Sequence, residues 1–186
     1  MKKVILVALI ALSATFVAAA QEEAESVVTK PTVSFTNNGP RAIGARFGWG
    51  AEVSYQHNLG NNFVEVDLGI PGFDAFGAHV TALYDFVIAQ PEWTPGTWTW
   101  YAGPGLQAGV SFRKDYFATI IGIAGQVGLS YKFEFPLELS VDIRPAIGVQ
   151  FGSENSEPFV RIYPHAHWGN QFGAIFCPHL SVRYAF

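Results

Sequence analysis

From residue 172 to the terminal Phe186 the chain reads FGAIFCPHLSVRYAF, and the stretch has a strict period of two. Phe186, Tyr184, Val182, Leu180, Pro178, Phe176 and Ala174 share one face. Ala185, Arg183, Ser181, His179 and Cys177 share the other. Side chains alternate in this way along a β-strand. One face is wholly apolar and rich in rings; the other carries a charge, a hydroxyl and an imidazole. Such a strand has two possible settings. A soluble sheet turns its apolar face to a core, whereas a transmembrane barrel turns it to lipid and its polar face to the lumen.

The alternation recurs from residue 41 onward. In 63–70, Val64, Val66, Leu68 and Ile70 oppose Glu65, Asp67 and Gly69. Comparable patterns run over 41–47, 51–59, 76–89, 98–112, 117–133 and 137–151. With the terminal strand this predicts eight antiparallel strands, an even number, so the last ends on the side where the first begins. Connections 60–62, 92–97 and 134–136 then fall on one side. Those near 49–50, 70–74, 113–116 and 152–171 fall on the other, and 152–171 is the longest loop. The first hairpin is open to a second reading, in which 41–59 is one long strand and an earlier strand comes from 32–35.

The inward sets decide between the two settings. They are small or charged, while a soluble barrel of the lipocalin kind needs bulk inside to fill its core. The outward sets carry rings near strand ends (Trp98, Trp100, Tyr131, Phe133, Phe151, Tyr184 and Phe186), as in the aromatic girdles of membrane barrels. The pattern predicts an all-β, eight-stranded, up-and-down transmembrane β-barrel over 41–186.

The N-terminus agrees with export. Lys2 and Lys3 precede an apolar run over 4–17 and the small residues Ala18, Ala19 and Ala20, which predicts a secretory signal peptide over 1–20, cut before Gln21. The run is short for a membrane-spanning helix. Residues 21–40 are polar, acidic and turn-rich, and read as a flexible periplasmic lead-in. With Lys2 and Lys3 removed, 9 basic residues face 15 acidic ones, a net charge of −6 that argues against nucleic acid as a partner. The single cysteine, Cys177, has no internal disulfide partner.

These features resemble the small outer-membrane β-barrel proteins of Gram-negative bacteria, of OmpA/OmpX type and porin-like. The segments RAIGARFGWGAEVSYQHNLG, WYAGPGLQAG and FPLELSVDIRPA look similar to porin-like members, and the ending SVRYAF matches their aromatic terminus. The resemblance implies location in the cell outer membrane, contact with its lipid, and assembly by the barrel-assembly machinery through Tyr184 and Phe186. A monomer is expected. For activity the resemblance implies little, since such families include adhesins, small-solute channels, lipid-modifying enzymes and proteins without a known role.

Candidate chemistry lies first in the lumen. Its expected acids are Glu52, Glu65, Asp67, Asp85, Glu138 and Asp142; its expected bases are Arg46, Lys132, Arg144 and Arg183. His79, His179, Gln107 and Gln126 join them. Eight strands leave an interior that side chains can fill, and buried charges need partners. The set therefore reads as a plug of ion pairs rather than a solute path. His165, His167, Cys177 and His179 supply metal-ligand types, but the two pairs are offset along their strands and no metal site is expected. No cofactor is expected either. Lipid A deacylases and acyltransferases share this fold and use His with Ser and an acid near the rim. Here His165, His167, Ser153, Ser156, Glu154 and Glu157 show no recognisable spacing, and a solvated loop is the simpler reading. GPGLQAG over 103–109 lacks the Lys-Ser/Thr and helix of a phosphate loop. The expectation is a non-enzymatic barrel with a structural or surface-interaction role. A small-solute porin-like channel is the alternative, and a lipid A-modifying rim enzyme the more remote one.

Overall fold

The computed structural model describes residues 40–48, 50–70, 76–93, 95–163 and 178–186. The expectations for 1–39, and those for His165, His167 and Cys177, lie outside the described residues. Among the described residues ten strands occur: β1 (Pro40–Phe47), β2 (Ala51–Leu59), β3 (Asn62–Gly69), β4 (Phe76–Ala89), β5 (Thr97–Arg113), β6 (Tyr116–Lys132), β7 (Leu137–Ile143), β8 (Ala146–Glu154), β9 (Glu157–Tyr163) and β10 (Pro178–Ala185). No described residue is helical.

Each strand from β1 to β6 pairs antiparallel with the next, β6 pairs with both β7 and β8, and β10 lies between β7 and β1. The wall is thus a closed ring of eight places. β7 and β8 are one strand split at Arg144 and Pro145, where proline has no N–H to give the ladder. The Gly125 N–H donates instead to the Pro145 carbonyl at 2.8 Å. β9 stands beside β8 and β10 beside β7, so these two share a place as well.

The first hairpin is two strands, with Ala45 opposite Val53 on β2 and opposite Val182 on β10. The expected long loop over 152–171 needs correction. Its first half is a hairpin, in which β8 turns through Asn155 and Ser156 into β9 with Glu154 opposite Glu157. Both turn residues have positive φ, 51° and 69°, the backbone of a tight two-residue hairpin turn whose twist matches the flanking strands.

The register fixes the width of the ring. From Ala45 the pairing runs through Val53, Leu68, Val80 and Ala108 to Ile121 on β6. In the other direction it runs through Val182 and Leu139 to Tyr131, also on β6. The difference between 131 and 121 is a stagger of 10 residues per circuit. With about 3.3 Å per residue and about 4.8 Å between strands, eight strands at this stagger tilt by about 40° and enclose a radius of about 8 Å at the backbone. Side chains of ordinary length meet across such a space.

The two faces of the wall are inverted relative to a water-soluble barrel. Arg46 and Arg183 lead the largest fully buried side chains, followed by Tyr101, Phe63 and Leu83. On the outside, Leu68 is 59% exposed and Leu180 62%. Rings crowd the lower ends of the strands. Trp98 sits 4.6 Å from Tyr131, Tyr131 4.5 Å from Phe133, and Tyr184 5.6 Å from Phe186.

Candidate functional site

The barrel interior holds the polar groups that the alternation points inward. Arg46 rises from β1 between β2 and β7. Its Nη1 donates to Glu52 Oε2 at 2.6 Å, and its Nη2 and Nε both meet the Asp142 carboxylate. Glu52 also meets His79 Nε2 at 2.5 Å, which brings β4 into the cluster.

Arg144 owes its position to the break beside Pro145. From there it reaches across the interior. Its Nε donates to Gln126 Oε1 at 2.8 Å, its Nη1 to Glu52 at 3.3 Å, and its Nη2 to Glu65 Oε1 at 3.1 Å and to Asp67. Arg183 on β10 fills the level below. Its Nε donates to Ser54 Oγ at 2.9 Å, Nη1 to Ser140 Oγ at 2.7 Å and Nη2 to Glu65 Oε2 at 3.0 Å, with Glu138 3.6 Å away. Glu65 is the hub. It accepts from Arg144, Arg183, Gln56 and Gln126, side chains carried by four different wall places. Groups taken from water are costly to leave unpaired, and here most are paired two or three times.

The expected set is only partly joined. Arg46, Glu52, Glu65, Asp67, His79, Gln126, Glu138, Asp142, Arg144 and Arg183 form the network. Asp85 points inward and is fully buried, but among the described residues neither of its oxygens has a hydrogen-bond donor. Gln107 is half-buried between Thr81 and Gly122 and makes no bond into the network. His179 pairs in register with Asp142, and its ring lies where a Cβ on Gly48 would stand.

Lys132 departs from expectation. It is exposed where β6 ends, opposite Glu138 in register. Its place beside Glu138 is taken by Arg41, which alternation puts outside. β1 carries an irregularity here: Pro40 pairs with His57 and Ala42 with Gln56, leaving Arg41 as an extra residue. An extra residue of this kind re-aims its side chain. Arg41 therefore turns inward, donates to Gln56 at 3.1 Å and Glu138 at 3.4 Å, and covers the Phe63 ring at 4.5 Å. Phe63 meets Tyr101 edge-on at 5.4 Å. Together these close the lower end beneath the polar layers. No local signal marks a one-residue irregularity; an arginine left on an otherwise apolar outer face is the one hint.

Comparison of the chain with protein-family models, with curated proteins and with solved structures finds no match. What the interior can do must therefore be read from its geometry. Four guanidinium groups (Arg41, Arg46, Arg144 and Arg183) stand among six carboxylates, and their bonds span the ring from β2 and β3 to β7 and β10. Such cross-bracing locks the wall. Small residues line the neighbouring wall, with Gly103, Gly105, Gly122 and Ala124 on β5 and β6.

Proposed function

We propose that the protein is an integral outer-membrane β-barrel, closed by an internal ion-pair plug, with a non-catalytic structural or surface-interaction role. The reading rests on one observation above others: charged side chains are buried inside the ring while large apolar ones stand exposed around it. Water would impose a heavy cost on that arrangement, whereas hydrocarbon favours it. Closure of the ring through the β1–β10 pair also leaves no unpaired edge there. The girdle of rings at the lower ends and the aromatic terminus, Tyr184 and Phe186, support the same setting. The apolar start of the chain supports export.

A second reading has its own support. The Gly and Ala positions of β5 and β6, beside an unbonded Asp85, favour a narrow water-filled path and hence a small-solute channel. Two measurements on the native protein separate these readings. Fractionation of the producing cell should place it with outer-membrane lipid, as a band whose gel mobility changes on heating. In planar bilayers the purified barrel should give no stable conductance steps. Reproducible steps that shrink with bulky substitution at Gly105 or Gly122 would replace the plug with the channel. Recovery in the soluble fraction would end the membrane reading.

A further inference from the structure

The apolar outer face is much taller on one side of the ring than on the other. β2 and β6 stand opposite each other, four places apart. On β2 the outward residues run from Ala51 to Leu59; on β6 they run from Phe117 to Tyr131. At about 3.3 Å per residue and a tilt near 40°, these are heights of about 20 Å and about 35 Å. The apolar band of an outer-membrane barrel is about 25 Å tall. The lower ends are level, each marked by Leu59 or by the Trp98–Tyr131 pair, so the excess stands at the upper end.

What stands there is mainly apolar, with Thr119 on β6 and Ser153 on β8 as outward hydroxyl residues among it. Phe112 and Phe117 pair at 5.2 Å across the end of the β5–β6 hairpin. On β9, Val160 is 76% and Ile162 70% exposed. No polar row separates this patch from the face below it. On β5 every outward residue from Trp98 to Phe112 is apolar, and charge begins at Arg113, Lys114 and Asp115. A groove of about 280 Å³ opens in the same wall, lined by Val80, Ala82, Leu106, Ala108 and Ile121, with Gln107 and Gly122.

We infer that lipid hydrocarbon covers this wall to its top, and that the barrel leans toward β6 and draws the outer leaflet up around Phe112, Phe117, Val160 and Ile162. The inference rests on the membrane reading and goes beyond it by naming what covers the excess. Continuity chooses the occupant. A docking patch for a protein, set above the lipid boundary, would be divided from the lipid face by a polar interface, and this one is not. An apolar stretch longer than the local hydrocarbon thickness is accommodated by leaning and by local thickening of the bilayer. The groove is an indentation of that same face, of the kind an acyl chain of the outer leaflet fills.

Spin labels test it. With Cys177→Ser as background, single cysteines replace Phe117 and Val160 on the upper wall, and Val66 and Val182 on the lower face. The protein is folded into phosphatidylcholine vesicles. Collision with oxygen, which concentrates in hydrocarbon, is compared with collision with a water-soluble nickel chelate. Labels at 117 and 160 should match those at 66 and 182, with oxygen favoured several-fold over nickel. If 66 and 182 favour oxygen but 117 and 160 favour nickel, the upper wall stands in water and the inference fails while the membrane reading survives. Labels at 117 and 160 shielded from both reagents would show a protein cover, a second copy included, and would also overturn it. Nickel access at all four positions would defeat the membrane reading and the inference with it.

Discussion

Asp85 and Arg144 are the two extremes of how a charge is kept inside this barrel. Arg144 donates to Gln126, Glu52, Glu65 and Asp67. Taking it away strips Asp67 of its guanidinium partner and removes one partner each from Glu52 and Glu65. Breaking one side of a buried pair costs about 3–5 kcal/mol, so Arg144→Met should lower folding stability by that amount in a urea titration of the bilayer-folded barrel. Asp85 accepts no hydrogen bond from the described residues. Asp85→Asn should therefore be close to neutral, or stabilising, in the same titration. A loss as large as that of Arg144→Met would mean that Asp85 has a role its geometry does not display. At this scale alternation told which side chains face inward, and it told nothing of which ones bond. It also put Lys132 in the network, although that residue is exposed where β6 ends, and it left out Arg41, because a single extra residue at the start of β1 reverses a parity that the rest of the strand obeys.

Strands were the most legible level. The apolar alternation is strong enough that 51–59 and 76–89 coincide with β2 and β4 as the structure draws them. Two features escaped. Pro145 falls on the outward parity, so the split between β7 and β8 left the pattern intact. β9 was hidden because its hairpin tip, Glu154 to Glu157, is polar on both faces, although Val160 and Ile162 alternate with Phe159 and Arg161 beyond it. Ser156 at φ 69° is the less suited of the two turn residues, since an ordinary L-residue in the left-handed region costs about 1–2 kcal/mol and glycine is free of that cost. Ser156→Gly should raise stability by up to about 1 kcal/mol, and Ser156→Val should lower it. Equal stability of the two variants would show that the turn is not held in this conformation.

The ring as a whole follows from its register. Eight strands at a stagger of 10 residues give an interior about 16 Å across between backbones, which guanidinium and carboxylate side chains bridge. Closure through β1 and β10 leaves no free edge there, and the ion-pair network ties opposite walls together. The sequence carried the even strand count and the two faces, and so the ring. It could not carry the stagger, which depends on pairing between distant segments, nor the resulting height of the wall from β4 to β9.

All of this stands on the claim that the apolar face meets hydrocarbon and the polar face meets the lumen. Two substitutions tested side by side address it most directly. Val66→Arg puts a charge on the outer face of β3 near mid-strand; Gln107→Arg puts the same charge inside, above the network. Arginine at the middle of a bilayer costs about 2–4 kcal/mol, and on a lumen face it costs far less. Folding free energies into lipid vesicles should fall by about 2–4 kcal/mol for Val66→Arg and by less than about 1 kcal/mol for Gln107→Arg. The reverse order would mean that the faces are exchanged, and the account of this protein as a membrane barrel would be wrong.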